Sequence, residues 1–172
     1  MKKLFSLLII AVFGFLMVSC NDDDDIQQVN VDYPTVYDTT FNFIRKASDS
    51  YGYNLKFDGT LLNQDIVLVY RKNNPTQSAP VWEPLPKTYF FGSNAMDYTF
   101  DFTTADVQLN LNADFFLDEQ DADFNRTYLN GQTFRIVLVP AVYGKNATDL
   151  SKLSYEEVIS KFKINDKIVG TL

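Results

Sequence analysis

From residue 31 onward, apolar and polar residues alternate with a period of two. Val31, Tyr33, Tyr37, Phe41 and Phe43 share one parity, while Asp32, Asp38 and Asn42 take the other. Tyr51, Tyr53, Leu55 and Phe57 alternate with Gly52, Asn54, Lys56 and Asp58. Tyr98, Phe100 and Phe102 alternate with Thr99, Asp101 and Thr103, and Val107, Leu109 and Leu111 with Gln108, Asn110 and Asn112. Successive side chains of a strand point to opposite faces, so each stretch predicts a strand with one wet and one buried face. Residues 66–70 (IVLVY) and 134–139 (FRIVLV) differ, being nearly continuous apolar runs. They read as central strands covered on both faces, or with one face under a loop. Asn130-Gly131 is a tight-turn signal before the second run, and Pro140 ends that strand because proline cannot donate to the ladder.

About seven short strands at this spacing, with no helical pattern between them, predict an all-β fold. The expected architecture is an antiparallel two-sheet sandwich, Ig-like or jelly-roll-like, with one short C-terminal helix. That helix is read from Ser154 and Glu157, an S-x-x-E capping box. Tyr155, Val158, Ile159 and Phe162 then fall at i, i+3, i+4 and i+7, one apolar stripe. The stripe is expected to pack on the sandwich edge or to close one end. Residues 167–170 are the candidate for a last short strand.

The N-terminus carries a different signal. Lys2 and Lys3 precede an apolar stretch, residues 4–18, broken only by Ser6 and Gly14. It is shorter than the ~20 residues a helix needs to cross a bilayer. A positive start, an apolar middle and a small residue at the end are the parts of a secretory signal peptide. Ser19 stands before the expected cut and Cys20, the only cysteine, after it. The stretch resembles the lipobox of bacterial lipoproteins, with Met17 where leucine is usual; the resemblance implies a diacylglycerol on the Cys20 thiol. A thiolate is the nucleophile such a transfer needs, and each buried CH₂ contributes ~0.8 kcal/mol to anchoring. An ordinary signal peptide leaving a free cysteine, or an N-terminal membrane helix, are the other readings of the same residues. With one cysteine, no intrachain disulfide forms.

Asp22, Asp23, Asp24 and Asp25 follow at once. An acidic run in this place resembles an export tag that carries lipoproteins to the outer surface of two-membrane bacteria. As plain chemistry it is a solvated tether, repelling phosphates over ~8 Å at physiological salt. The chain divides into a signal peptide at 1–19, a lipidated acidic tether at 20–34 and a β-sandwich domain at 35–172. Net charge is −7, and residues 1–19 carry two lysines and no acid, so their removal makes the chain more acidic still. That balance argues against nucleic acid as a partner.

Histidine is absent, which removes Ser-His-Asp and Cys-His catalysis and zinc sites built on imidazole. No glycine-rich phosphate motif occurs, and no cofactor is implied. A carboxylate-based hydrolase would need two acids across a cleft, drawn from Glu83, Asp97, Asp101, Asp106, Asp114, Asp118 and Glu119. With 22 acids in the chain, such pairs arise by chance, and turn residues and solvated faces explain them better. Asp121, Asp123 and Asn125 match the opening of a calcium loop. Arg126 stands at that loop's glycine position and Gln132 at its glutamate position, which favours a charged loop between strands. Trp82, the only tryptophan, lies among Pro80, Pro84 and Pro86. It reads as part of an edge or crossover rather than as a sugar-stacking platform.

Four stretches carry a family resemblance: residues 65–71 (DIVLVYR), Trp82 with residues 85–88 (LPKT), residues 97–107 (DYTFDFTTADV) and residues 132–141 (QTFRIVLVPA). With their spacing, the chain resembles a group of small bacterial surface lipoproteins, some labelled collagen-like. In some of that group a Gly-Pro-Pro stretch follows the lipidated cysteine; the acidic run stands there instead, so no trimeric stalk is implied. The resemblance implies a surface-tethered β domain and brings no catalytic or binding residue. Oxidoreductase labels within the group do not suit this chain, which lacks a redox cysteine pair and a nucleotide motif.

The expectation is therefore a non-enzymatic lipoprotein of the outer membrane, facing the cell exterior and held by acyl chains on Cys20. Its sandwich would present a face or loops, notably residues 73–80 and 114–130, to an extracellular glycan or protein. A glycan-binding or glycan-processing accessory protein using Trp82 and paired acids is the first alternative. A subunit of an envelope assembly is the second.

Overall fold

The computed structural model describes residues 36–62, 65–73, 80–139, 150, 153–167 and 169–171. Cys20, the four aspartates at 22–25, the signal stretch, the tether, Pro140 and most of the 73–80 loop lie outside them. Among the described residues, ten strands form two five-stranded sheets. Sheet I runs β10 (Gly170–Thr171), β1 (Val36–Phe41), β9 (Gln132–Val139), β4 (Ile66–Asn73), β5 (Val81–Pro84). Sheet II runs β2 (Ile44–Ala47), β3 (Ser50–Lys56), β8 (Asp106–Ala113), β7 (Asn94–Phe102), β6 (Lys87–Phe91). Every pairing is antiparallel except that of β10, which lies parallel to β1 at Tyr37 and Asp38. The architecture is the all-β two-sheet sandwich with a short helix that the alternation predicts.

The inner faces meet in one apolar core. Tyr51 and Leu55 of β3, Met96 and Tyr98 of β7, and Val107, Leu109 and Leu111 of β8 point into it from sheet II. Val67, Val69, Phe134, Ile136 and Leu138 answer from sheet I. Aromatic rings fill its middle: Phe134 stacks on Phe41 at 5.4 Å and meets Phe43 edge-on at 5.9 Å, an arrangement the ring quadrupoles favour. The strict alternation of β3, β7 and β8 thus comes from burying one face only.

The continuous runs have a second cause. Leu68, Tyr70, Val137 and Val139 point outward from sheet I and are buried under α1 (Tyr155–Phe162). Tyr155, Val158 and Phe162 of the helix close this second core. The capping box forms: Ser154 Oγ accepts from the Glu157 amide at 3.2 Å, and Glu157 accepts from the Ser154 amide at 2.8 Å. Those bonds hold the Glu157 carboxyl below its ordinary value. Lys163 ends the helix in the left-handed conformation, φ 50°. Eight residues are too few for a helix to persist alone in water, so α1 depends on the apolar face beneath it. Its seat corrects the expectation of an edge or an end. The reason lies in the strands: Leu68 and Val137 need cover that an edge position would leave them without.

The segment expected as an open loop at 114–130 is also built differently. It forms a 3-10 turn (Leu117–Glu119), a helical turn (Ala122–Phe124) and a π turn (Asn125–Leu129). Leu117 and Leu129 are buried, and Phe115, Phe124 and Tyr128 pack against the inter-sheet core. The Leu117 amide donates to Ser48 O at 2.7 Å, tying the segment to the β2–β3 turn. It is a plug on one end of the sandwich, because its apolar residues have core to cover. Gly131, φ 63°, turns the chain from this plug into β9, as the Asn-Gly signal predicts.

Candidate functional site

Three places bring polar chemistry together. The first lies inside the sandwich. Arg71 continues the inward parity of Val67 and Val69, and is only 4% exposed. Its guanidinium donates to Gln132 Oε1 from Nε (3.1 Å) and Nη2 (2.6 Å), to Thr127 O (2.7 Å) and to the Tyr89 hydroxyl (2.9 Å). The rings of Tyr98, Tyr89 and Tyr128 surround it at 4.9, 5.5 and 5.7 Å from their centroids. Tyr89 donates a short hydrogen bond to Glu83, which also lies 3.4 Å from Lys87 and 3.9 Å from Arg71. Burial, together with the Glu83 acceptor, pushes the Tyr89 hydroxyl up to about 12, so it stays a proton donor at every physiological pH. Most of the donors of Arg71 are committed to protein oxygens. The arrangement fixes the plug, β4, β6 and β9 to one another.

The second lies beneath α1. Arg135, on the outward parity of β9, forms a fork–fork pair with Asp38 at 2.6 Å for both bonds. Its Nη1 donates to the Tyr155 hydroxyl at 2.6 Å, and that hydroxyl donates to Asp166 at 2.8 Å. Burial first, then the Asp166 acceptor, push Tyr155 up to about 12. The guanidinium also stands 4.3 Å from the Trp82 ring centroid. Trp82 sits on edge strand β5 and is half-buried, as the proline-punctuated sequence implies. One ring face is already taken up by Arg135, and Tyr155 lies at 6.0 Å, so Trp82 is a packing element of the helix–sheet layer.

The third is the outer face of sheet II. Thr88, Asp97, Asn112 and Ser50 stand in one row across four strands. Thr88 donates to Asp97 at 2.6 Å and Ser50 to Asn112 at 2.8 Å. In the next row, Lys46 lies along the bare backbone of Gly52 and donates to Asn110 at 3.0 Å. A Cβ on Gly52 would come within 2.4 Å of the Lys46 side chain. Asn110 in turn donates to Asp101 at 3.1 Å. The Thr103 hydroxyl first, and then Asn54, which donates to Asp106 at 3.1 Å, hold that carboxyl below its ordinary value. Nothing among the described residues covers this face.

The carboxylates expected as possible acid pairs fall in three places. Glu83 belongs to the Arg71 network; Asp97, Asp101 and Asp106 lie on the outer face of sheet II. Asp114 accepts from the Ala95 amide at 3.0 Å, and Asp118 pairs with Arg45 at 2.6 Å. A depression of about 460 Å³ beside α1 is lined by Leu153, Glu156, Glu157, Ser160 and Lys161, none of them among those candidates. The candidate calcium residues serve the plug. Asp121 caps its helical turn by accepting from the Phe124 amide at 2.8 Å, and Asp123 pairs with Arg126 at 2.9 Å. Asn125 donates to Gln120 O at 3.3 Å. Among the described residues, no group of three or more acidic or cysteine side chains is placed to hold a metal ion, and no helix is long and apolar enough to cross a membrane.

Sequence reasoning missed the roles of Arg71 and Gln132, although a signal was there. Each stands at one end of an apolar run, on the parity of the buried residues. The outer face of sheet II was read only as the wet half of an alternation; its signal was the kind of polar residue it holds. Comparison with known protein families, with curated proteins and with solved structures finds no match to this chain.

Proposed function

We propose that this chain is a lipid-anchored, non-catalytic binding domain, held by acyl chains on Cys20 at the outer membrane and facing the cell exterior. The observation that carries the reading is the order of residues at the N-terminus: two lysines, a short apolar stretch, Ser19, Cys20 and four aspartates. The resemblance to small surface lipoproteins supports it, and the acidic run at 22–25 supports export to the surface. The non-catalytic part rests on the lack of histidine and on acids committed to structural partners. A rigid sandwich with two cores suits a domain that displays a surface at the end of a tether.

Metabolic labelling with a fatty acid tests the anchor. Label should enter the wild-type chain and be lost in Cys20→Ser, and mass spectrometry should place both acyl and diacylglycerol groups on residue 20. Brief protease treatment of intact cells should then remove the domain. An unmodified thiol on Cys20, or a chain protected until the cells are broken, defeats the anchoring and the outward orientation respectively.

A further inference from the structure

The outer face of sheet II departs from what strands favour. Val, Ile, Thr and aromatic residues suit a pleated surface; Asn, Asp and Gly are depleted there. On the outward positions of β3, β7 and β8, Thr99 is the one β-branched residue and no aromatic occurs. Asparagine, aspartate, glutamine, serine and glycine take most of the rest. Local physics alone would not choose them, and such departures from local preference mark functional surfaces.

We propose that this face binds a neutral, hydroxyl-rich ligand, a glycan chain lying flat across β3, β8 and β7. The proposal names the ligand class of the binding domain put forward above and rests on that reading. Planar amides and carboxylates offer paired donors and acceptors at the spacing of neighbouring sugar hydroxyls. Here they are held in place before any ligand arrives, by the Lys46–Asn110–Asp101 and Asn54–Asp106 bonds. Little ordering is left for binding to do. With strands ~4.8 Å apart and ~3.4 Å per residue, the field spans roughly 10 Å across the three strands and roughly 20 Å along them, room for several sugar rings in the long direction. Over Gly52 the space a side chain would fill is taken by Lys46, which sets its ammonium beside Asn110 on this face.

The charge and composition of the face select this class. Asp97, Asp101 and Asp106 outnumber Lys46 and Lys56 on a chain of net charge −7, so anionic polymers, including nucleic acid and sulfated glycans, are repelled. Protein partners anchor on Trp, Tyr and Arg gathered at a patch centre. On this face the exposed apolar side chains, Ile44 (64%) and Phe90 (77%), instead lie apart on the edge strands β2 and β6. At the rims they suit the C–H faces of sugar rings.

Affinity electrophoresis of the full chain in mild detergent tests the proposal, using gels cast with dextran, galactomannan, xylan or heparin. At least one neutral polymer should retard the wild type, and heparin should not. Asn110→Ala and the isosteric Asp101→Asn should each weaken retardation about fivefold, the loss of roughly one hydrogen bond. Glu156→Gln, on α1, should change nothing. Retardation by none of the neutral polymers, or by heparin alone, overturns the proposal. So does loss of binding in Trp82→Phe with Asn110→Ala and Asp101→Asn unaffected, which would move the site to the other sheet. Failure here leaves the labelling of Cys20 untouched, and failure of that labelling leaves this binding untouched.

Discussion

On the outer face of sheet I, Leu68, Tyr70, Val137 and Val139 lie under α1, with Arg135 neutralised by Asp38 at the margin. On the outer face of sheet II, the matching positions of the central strand β8 are Gln108, Asn110 and Asn112, and no element among the described residues crosses them. The same backbone therefore carries one face built to be covered and one built to stay wet. Covering consumes the chemistry of its side chains: Trp82, Tyr155 and Arg135 are spent on one another. The bare face also bonds its polar side chains to one another, Thr88 to Asp97, Ser50 to Asn112 and Lys46 to Asn110 to Asp101. It does so in the open, with their remaining donors and acceptors toward solvent. On the reading proposed above, sheet I carries stability and sheet II recognition.

The largest test of this division concerns the core shared by both sheets. Arg71→Ala should cost about 3–5 kcal/mol in chemical denaturation, since it strands Gln132, the Thr127 carbonyl and Tyr89 in a dry interior. Arg71→Met restores the volume without the donors and should recover only part of that loss. Full recovery would mean that packing, not the hydrogen bonds, is what Arg71 contributes.

Next in size is the covered face. Tyr155→Phe removes a hydroxyl that accepts from Arg135 and donates to Asp166, and should cost about 1.5–3 kcal/mol. A loss below about 0.5 kcal/mol would detach the helix–sheet layer from this network. The same hydroxyls set the alkaline limit. Tyr89 and Tyr155 are each raised to about 12 from an ordinary 10.0. The folded state then holds protons that the unfolded chain releases, so stability is whole below pH 10 and falls between pH 10 and 12. Melting temperatures followed across that window should be flat and then drop. Tyrosine absorbance should titrate late in the native protein and near 10 once it is unfolded.

Much of this contrast was legible along the chain. Strict alternation at 107–112 and the unbroken runs at 66–70 and 134–139 told apart the strands with one buried face from those with two. The capping box located α1 to the residue. What covered the second face of sheet I was not legible, because a helix stripe names no partner and proximity in space is absent from a one-dimensional pattern. The plug at 114–130 was hidden for a related reason. Its apolar residues, Leu117, Phe124, Tyr128 and Leu129, follow no single period, since they serve three successive kinds of turn. Arg71 and Gln132 were legible only in hindsight of parity: a charge that continues an inward series either ends the strand or must be paired inside.

The smallest expected effect cuts most sharply between the two faces. Asn112 is exposed, and its side chain only accepts from Ser50. Threonine at that position suits a pleated surface better, so Asn112→Thr should raise stability, by a gain of up to ~1 kcal/mol seen as a higher denaturation midpoint with unchanged slope. Natural chains leave such gains unused where function needs the less stable residue. The gain should therefore come with weaker retention on the neutral polymer that retards the wild type. A variant that is both more stable and equally well retained would show that row to be plain solvated surface. A less stable one would show that the hydrogen-bonded row itself contributes to the fold, and the two faces would then differ less than their residues suggest.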